Sequence, residues 1–578
     1  MVCGYPRFFI AIPIKKLSAH IEGKFGMPDE SVMLFQNHHA ANRCQSFILR
    51  HASDKLQSFQ VRIVKYEVAP WDNVAATLSG EAQLLNKVPV VLSCVFFPSS
   101  AFSVAKQYWQ HTGDGISSRL AEHCLRIIRV NEERKLAPAA PSPRFVAAAA
   151  AGVSKQRPSY HRLPNNCADS AAVAQRCDSK TPSVEEGESA HIDHDAEIYL
   201  EERFGRNINV RYANQAKAAI RRRIAGLLNE EDKTYFKDNV EISRQVCGLE
   251  ESDVFIVSTG MGAIFHTHRV LLEVLGSDKK SVCFGFPYTD TLKILQKFGP
   301  GAYFFGHGEG EDYDKLEELL REKAEKGERV LALFTECPSN PLLKTADLKR
   351  LRGLANKYGF VLVIDETIGN FVNSDTLSWA DVVVSSLTKV FSGDSNVMGG
   401  SIVLNPNQPF YKKIKQEMES QLEDSLWCED AVFLERNSRN FRERVVKINR
   451  NAEALCDMLK TNPLVDAVNY PKYITVAEYE AIKRKTEDAG YGGLFSITFK
   501  TPDHAKVFYD NLDCAKGPSL GTNFTLASPY TLLAHFTELD WALKYGVSSH
   551  LIRVSVGLED HEVLMAMFIK ALGAIEPE

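Results

Sequence analysis

Long apolar runs are missing from this 578-residue sequence. No stretch approaches the ~20 residues that a transmembrane helix needs. The apolar segment at 8–14 is at the lower limit for the core of a secretion signal, and no small-residue cleavage site follows it. We therefore expect a protein without a membrane partner, and the cytoplasm is its default location.

Paired cysteines and a marked charge imbalance are missing as well. The 12 cysteines are scattered and none forms a CxxC pair, so we interpret them as reduced, mostly buried thiols. The 68 basic and 73 acidic residues leave a net charge of -5, which gives no reason to expect a nucleic-acid partner. The composition, 44% hydrophobic and 24% charged, is that of an ordinary globular protein.

Large apolar residues become scarce in one internal stretch, at 136–192. This stretch contains Ala-Pro-Ala-Ala-Pro-Ser-Pro and a run of five alanines, and it cannot bury enough surface to offset its chain entropy. We predict a disordered linker there. It separates an N-terminal α/β extension of unknown role at 1–135 from an arm and large cofactor domain at 193–428 and a C-terminal domain at 429–578.

Strands and helices alternate from about residue 250. The pattern predicts buried strands at 253–258, 281–286, 330–335, 360–365 and 381–386, with helices between them. Such alternation indicates an α/β fold with a mainly parallel sheet covered on both faces. A long helix and strands at 494–500 and 551–556 predict a smaller α+β C-terminal domain. Ligands bind parallel sheets at the carboxyl ends of the strands, so the polar residues there are the candidates for a site.

Three kinds of polar group stand at these strand ends. The small-residue turn at 258–262 precedes a helix, and its backbone N–H groups suit a phosphate. Asp365 ends one strand, and Lys389 follows the next one among hydroxyl residues. Taken singly, these groups are also typical of a helix cap, a capping carboxylate and a solvated lysine. Together they match the needs of pyridoxal phosphate: an amine for the aldehyde, an acid for the pyridinium nitrogen and a cradle for the phosphate.

The same segments resemble the Cys/Met-metabolism family of fold-type I pyridoxal-phosphate enzymes. The resemblance covers about the last 385 residues and lies in the segments 258–261, 287–291, 336–342, 381–389, 519–521 and 551–560, with Gly393 and Gly399-Gly400. Because several motifs occur in the family's order, the match is specific. It implies a fold-type I transferase with pyridoxal 5'-phosphate as cofactor. It also implies small amino-acid substrates and a homodimer with a shared active site, assembled into a homotetramer.

The resemblance also implies roles for individual residues. Lys389 is the lysine that binds the cofactor, and Tyr288, which stacks on the cofactor ring, is the second catalytic residue. Asp365, with Thr367 beside it, holds the pyridinium nitrogen, and Asn340 holds the phenolic oxygen. The remaining cofactor contacts are implied for Ser258, Gly260, Met261, Ser386, Thr388 and Arg211, and the substrate contacts for Ser519 and Arg553. No metal site is expected.

The sequence departs from the family pattern at two places. The histidine and aspartate that usually follow the lysine are replaced by Asp394 and Asn396. In the arm, the usual tyrosine two residues before Arg211 is Asn209, and Tyr212 lies one residue beyond the arginine. By resemblance Arg211 reaches the phosphate of the neighbouring subunit, so the second departure concerns the phosphate contact across the dimer.

Within the family, the sequence resembles the fungal cystathionine γ-synthases, which share the long N-terminal extension and the segments 4–9, 217–224 and 392–400. We therefore expect a γ-replacement, in which cysteine displaces the acyloxy group of O-acetyl- or O-succinyl-homoserine to give cystathionine. A γ-lyase and a γ-replacement with a carbon nucleophile in secondary metabolism remain open. A non-catalytic scaffold is disfavoured, because Lys389, Asp365 and Arg553 are all retained.

Overall fold

The computed structural model describes residues 9–52, 56–69, 89–136, 212–226 and 244–575. Apart from Leu136, the predicted linker lies outside these ranges, and so does Arg211 with the predicted arm before it. Three β-sheets organise the described residues. The α/β fold predicted from the sequence is confirmed.

The first sheet has three antiparallel strands in the order β1-β3-β2. The strands are β1 (Glu30–Phe35), β2 (Arg62–Val68) and β3 (Val90–Pro98). Helices α1 (Ile12–Phe25) and α4 (Ser118–Leu136) cover one face, and α2 (His38–His51) and α3 (Phe102–Thr112) cover the other. Side chains of β3 alternate between the two apolar clusters, as a strand covered on both faces requires. In the sequence, strand-like runs at 58–68 and 87–97 and a helical pattern at 117–130 predict β2, β3 and α4, whereas the other four elements are not predicted.

The second sheet has seven strands in the order β4-β10-β9-β8-β7-β5-β6. They are β4 (Val254–Val257), β5 (Ser281–Phe284), β6 (Ala302–Phe305), β7 (Ala332–Glu336), β8 (Val361–Asp365), β9 (Val382–Ser386) and β10 (Gly400–Leu404). Strand β10 is antiparallel to both of its neighbours, and the other strands run parallel. The mainly parallel sheet is thus confirmed, with β6 and β10 added to the five predicted strands.

Helices cover both faces of this large sheet. They are α5 (Ala213–Ala225), α6 (Gly260–Leu275), α7 (Thr289–Lys297), α8 (Glu311–Glu325), α9 (Leu348–Tyr358), α10 (Asn370–Asn373), α11 (Tyr411–Gln421) and α12 (Cys428–Ser438). Neighbouring residues of β7 enter different apolar clusters, Leu333 on one face and Phe334 on the other. Because β4, β5, β7, β8 and β9 all run in the same direction, their carboxyl ends lie at one edge of the sheet.

The third sheet has five strands in the order β11-β12-β15-β14-β13. Its elements are α13 (Phe441–Lys460), β11 (Val465–Asn469), α14 (Val476–Ile482), β12 (Leu494–Phe499), α15 (Pro502–Asn511), β13 (Ala515–Lys516), β14 (Leu526–Pro529), α16 (Tyr530–Ala534), α17 (Leu539–Lys544), β15 (Ile552–Ser555) and α18 (His561–Gly573). Helices α13, α15 and α18 pack on this sheet in one apolar cluster. None of the helices in the described ranges is long and apolar enough to cross a membrane.

The N-terminal sheet and its helices pack directly against the large sheet's helices. The Phe47 ring stacks on Phe298 with centroids 5.0 Å apart. His266 of α6 and Asp114, just after α3, form a buried hydrogen bond with 2.8 Å between Nε2 and Oδ1. The connection between α3 and α4 is thereby held beside the beginning of α6, at the edge where the strand ends meet.

Candidate active site

A cavity of about 400 Å³ opens at the carboxyl edge of the large sheet. Small-molecule sites in proteins occupy roughly 300–1,000 Å³, so the cavity has room for a cofactor and a small substrate. Within the described ranges, every residue predicted for the site lines this cavity except Ser258. Strand ends, the first turn of α6 and the C-terminal sheet thus contribute side chains to one space.

The first turn of α6 forms one end of the cavity. Thr259 caps the helix, since its Oγ1 accepts a hydrogen bond from Gly262 N at 2.9 Å. The N–H groups of Gly260 and Met261 follow at the positions where a helix has no internal acceptors. Ser386 lies against this turn, and its buried hydroxyl has no hydrogen-bond partner among the described residues. These donors form a cradle for an anion.

Ser258 is placed differently from the prediction. Its Oγ donates to the carbonyl oxygen of Gly113 at 3.0 Å, and its N–H donates to Ser425 Oγ at 3.3 Å. The Ser258 side chain therefore anchors the N-terminal unit to the turn before α6. Sequence reasoning could not show this, because 145 residues separate the two partners.

Lys389 follows β9 and lines the cavity. Its Nζ lies 3.2 Å from Ser519 Oγ, which reaches the site from the C-terminal sheet. Thr388 faces the cavity beside it, and its hydroxyl is bonded to the backbone of Gly399 at 3.2–3.3 Å. The amine of Lys389 thus contacts Ser519 next to the C-terminal sheet, while Lys389 itself follows β9 of the large sheet.

Asp365 stands at the end of β8, half-buried. Thr367 N–H donates to its Oδ1 at 2.9 Å, and Thr367 Oγ1 accepts from Ser386 N at 2.8 Å. Burial raises the pKa of Asp365, while the hydrogen bonds from Thr367 oppose that shift. A carboxylate in such surroundings gains from a cationic partner, which the protonated ring nitrogen of a cofactor would supply.

Glu336, at the end of β7, is a site residue that sequence reasoning missed. It accepts hydrogen bonds from the backbone N–H of Tyr288 and, at 3.1 Å, from that of Asn340. Burial and the nearby charge of Asp365 both raise its pKa. Glu336 therefore fixes the two loops that carry Tyr288 and Asn340. The signal that could have found it is the one that found Asp365, an acidic residue at the end of a buried strand.

Arg553 reaches the cavity from β15 and is buried. It donates to Asn340 Oδ1 at 3.0 Å and to the carbonyl oxygens of Pro518 and Ser519 at 2.6 and 2.9 Å. Its guanidinium also lies 4.8 Å from the centroid of the Tyr530 ring. The side chain is thus fixed in a single position next to Asn340, and the two predicted residues are in direct contact.

Comparison with known families identifies the chain. The model of the "Cys/Met metabolism PLP-dependent enzyme" family matches residues 234–573, and that of the "Fungal trans-sulfuration enzyme, N-terminal domain" matches residues 13–117. The chain belongs to the Cys/Met metabolism PLP-dependent enzymes. Its prediction as a pyridoxal-phosphate enzyme is confirmed.

Full-length relatives of this family member occur in fungi. It is 44% identical to a cystathionine gamma-synthase of Neurospora crassa, over 100% of this chain and 93% of the relative. It is 42% identical to the cystathionine gamma-synthase-like enzyme iboG2 of Amanita muscaria, over 99% of this chain and 90% of the relative. A crystal structure of cystathionine gamma synthase from Xanthomonas oryzae shares the fold, with a TM-score of 0.50 and 22% identity over 62% of this chain and 98% of that one.

The residues present fit the family's cofactor. The buried hydroxyl of Ser386, which has no hydrogen-bond partner among the described residues, and the N–H groups at the beginning of α6, which have no acceptor inside the helix, suit its phosphate. The carboxyl of Asp365 suits its ring nitrogen. Lys389 supplies the amine in the same cavity. In the described part of the chain no cluster of His, Cys, Asp and Glu could hold a metal ion.

Proposed function

We propose that this family member is a cystathionine γ-synthase. It catalyses the replacement of the acyloxy group of O-acetyl- or O-succinyl-homoserine by L-cysteine, which yields L-cystathionine. The observation that carries the proposal is the single cavity in which Lys389, Asp365 and Arg553 lie together. Identity of 44% over the full length to the Neurospora crassa enzyme supports the choice of reaction.

Each residue in the cavity has a task in this reaction. Pyridoxal phosphate, when bound, acts as an electron sink for the carbon atoms next to the substrate nitrogen. Lys389 Nζ removes and returns protons, and Ser519, 3.2 Å away, positions it. Asp365 keeps the cofactor's ring nitrogen protonated. Tyr288 assists the proton transfers from its position at the cavity wall.

The substrate carboxylate is assigned to Arg553. Its guanidinium is fixed by three neutral oxygen acceptors and one aromatic ring, so it is oriented before the substrate arrives. A preorganised guanidinium binds a carboxylate through parallel N–H donors, which also sets the orientation of the amino acid. Asn340, which contacts Arg553, connects this position to the cofactor.

A product assay tests the reaction. Purified protein is mixed with O-acetylhomoserine or O-succinylhomoserine, with and without cysteine, and the products are identified by mass spectrometry. We expect cystathionine only when cysteine is present. The variant Lys389→Ala should lose the visible absorbance of the bound cofactor and reduce the rate by at least about 1,000-fold, as expected when a catalytic group is removed.

Other products would point to the other members of the family. Release of 2-oxobutanoate from cystathionine as the main activity would contradict the synthase and indicate a γ-lyase. Turnover of the acyl-homoserine with a carbon nucleophile but not with cysteine would indicate secondary metabolism. Retention of full activity by Lys389→Ala would contradict the assignment of the site.

We also infer a cytoplasmic homodimer with a shared active site, assembled into a homotetramer. Support comes from large apolar side chains that are exposed in the described part of the chain between Phe524, at the rim of the cavity, and Leu543 of α17. Apolar side chains grouped in this way mark an association surface.

A further inference from the structure

The N-terminal unit contributes to the wall of the cofactor cavity. Ser117, Ser118 and Arg119 line the same cavity as Gly260 and Lys389. Ser117 and Ser118 also line a small neighbouring cavity together with Ser258 and Thr259 of the turn before α6. The beginning of α4 and the beginning of α6 therefore face one region, where the phosphate cradle lies.

Close backbone packing fixes this arrangement. Gly113, just before the segment, has φ of +64°, and a Cβ atom there would lie 1.9 Å from Thr259 Oγ1. The Gly113 carbonyl accepts from Ser258, and Asp114 is bonded to His266 of α6 at 2.8 Å. Ser117 Oγ accepts from Leu120 N at 3.1 Å and so caps α4 at the cavity. Two helix N-termini, each with a partial positive charge, are thus held next to each other.

Arg119 places a full positive charge at this position. Its guanidinium donates to Asp430 Oδ1 at 2.6 Å and to the Asn396 carbonyl at 3.1 Å. It lies 3.7 Å from the centroid of the Phe433 ring. Asp430 lines both the main cavity and the small one that Ser258 and Thr259 also line. Its partner Arg119 is therefore at the end of the main cavity where the turn before α6 lies. Arginine has five N–H donors, so these two bonds leave donors that can face an anion.

The other cations that line the cavity in the described ranges are placed elsewhere. Lys389 is required for the cofactor's aldehyde, and Arg553 is fixed beside Asn340. Lys516 belongs to β13 and donates to backbone carbonyls of its own domain. A phosphate monoester carries about −1.5 to −2 charges at neutral pH, and an arginine is the side chain that best matches its geometry.

We propose that the N-terminal unit contributes to the phosphate site from within the same chain, with Arg119 as a cation in addition to the arginine that the resemblance assigns to the neighbouring subunit, and with the first turn of α4 as a second set of N–H donors. Ser386, whose buried hydroxyl has no hydrogen-bond partner among the described residues, lines the same cavity and marks the phosphate position against the first turn of α6. Arg119 is thus a cofactor-binding residue, and Asp430 and Phe433 are the residues that position it. The inference rests on the family's cofactor and not on which reaction the enzyme performs.

The test measures cofactor affinity rather than turnover. Full-length wild type, Arg119→Ala and Arg119→Gln are freed of cofactor and titrated with pyridoxal phosphate and, separately, with pyridoxal, which lacks the phosphate. We expect Arg119→Ala to raise the Kd for pyridoxal phosphate at least about tenfold and to change that for pyridoxal less than about twofold. Arg129→Ala is the matched control, because this arginine of the same helix is 76% exposed and forms a surface ion pair with Glu133, with 2.8 Å between Nε and Oε1. It should change neither value.

Two results would overturn the proposal. Equal losses of affinity for both ligands would show that Arg119 merely holds the N-terminal unit in place, and unchanged affinity in Arg119→Ala would show that it does not reach the phosphate. If the alanine variant does not fold, Arg119→Gln, which keeps a polar side chain with N–H donors but removes the charge, decides in the same way. Failure of the wild type itself to bind pyridoxal phosphate would instead contradict the family's cofactor, so the two failures are distinguishable.

Discussion

Gly260 allows β9 and α6 to approach each other at the phosphate cradle. A Cβ at this position would lie 2.5 Å from the Ser386 Cβ and 2.9 Å from its Cα, so a rotation of the serine side chain could not relieve the contact. We expect Gly260→Ala to raise the Kd for pyridoxal phosphate at least about tenfold, because the strand and the helix must separate where the anion binds. Titration of the cofactor-free protein checks this.

Gly353→Ala is the control for this substitution. Gly353 lies inside α9, and a Cβ there would meet nothing within 4 Å. Alanine in an exposed helix interior stabilises by about 1 kcal/mol relative to glycine, so this variant should keep the wild-type affinity and unfold at a slightly higher temperature. Wild-type affinity in Gly260→Ala would show that the close approach is not needed for binding.

At the level of single residues, sequence reasoning worked where the chemistry is local. Lys389 and Asp365 stand at strand ends, and the strand-end rule alone draws attention to them. Glu336 and Arg119 were not predicted as site residues. Glu336 accepts hydrogen bonds from the backbone of two loops that the sequence does not show to be close. Arg119 reaches the cavity from α4, which belongs to the N-terminal unit. Both depend on contacts between distant parts of the chain, which periodicity and motif order do not encode.

The contact between α4 and α12 contains a buried acid. Glu429 of α12 is 4% exposed, and its Oε1 lies 3.6 Å from Arg126 and 3.8 Å from His123, both of α4. Burial raises its pKa to about 7; the charges of Arg126 and Arg119 act against the shift, and those of Asp430 and Glu122 add to it. An acid whose pKa is higher in the folded state than in the unfolded chain favours folding while it is protonated. Its contribution is therefore lost as pH rises from about 4.5 through about 7.

Glu429→Gln should remove this pH dependence. Denaturant titrations at about pH 5 and pH 8 should show that the wild type loses about 2 kcal/mol more stability between the two pH values than the glutamine variant does. Glu133→Gln on α4 is the control, because Glu133 is 61% exposed. Parallel stability losses in wild type and Glu429→Gln would mean that Glu429 is ionised throughout this range.

At the level of elements, the strands that sequence patterns missed have identifiable reasons. Strand β10 begins at Gly400, the second of two glycines, which hides a short strand behind a turn signal. Strand β6 is at the edge of the sheet, its four residues are only half-buried, and its short apolar run is flanked by Gly301 and Gly306, which favour a turn. The five predicted strands, by contrast, show apolar runs that are buried on both faces of the sheet.

At the level of the whole molecule, the N-terminal unit is part of the enzyme's core architecture. Phe298, which directly follows α7 on the large sheet, packs against Phe47, Tyr108 and Phe265. Its ring centroid lies 5.0 to 6.1 Å from theirs. The Asp114 carboxylate joins Arg43 and His266 in one buried group. Burial alone would raise the pKa of Asp114, but the contacts with His266 and Arg43 outweigh it and keep this pKa well below the usual range. Residues at the beginning of the chain are thereby tied to the helix that carries the phosphate cradle.

The proposed association of whole chains would use the exposed apolar side chains of the segment between Phe524 and Leu543. In this segment Phe536 is 71% exposed and Leu543 59%. A pair of copies related by a twofold axis would cover this surface on both chains. Light scattering after size-exclusion chromatography should therefore give twice or four times the chain mass of 64.6 kDa.

Phe536→Asp tests whether this surface is the one used. A carboxylate at the centre of an apolar interface is desolvated without a partner, so the variant should shift the mass towards 64.6 kDa at micromolar concentration. Phe59→Asp is the control, because Phe59 is 78% exposed on the N-terminal unit and should leave the assembly intact. A wild type that stays at the mass of one chain would contradict the dimer. An assembly that Phe536→Asp leaves unchanged would place the interface elsewhere on the molecule.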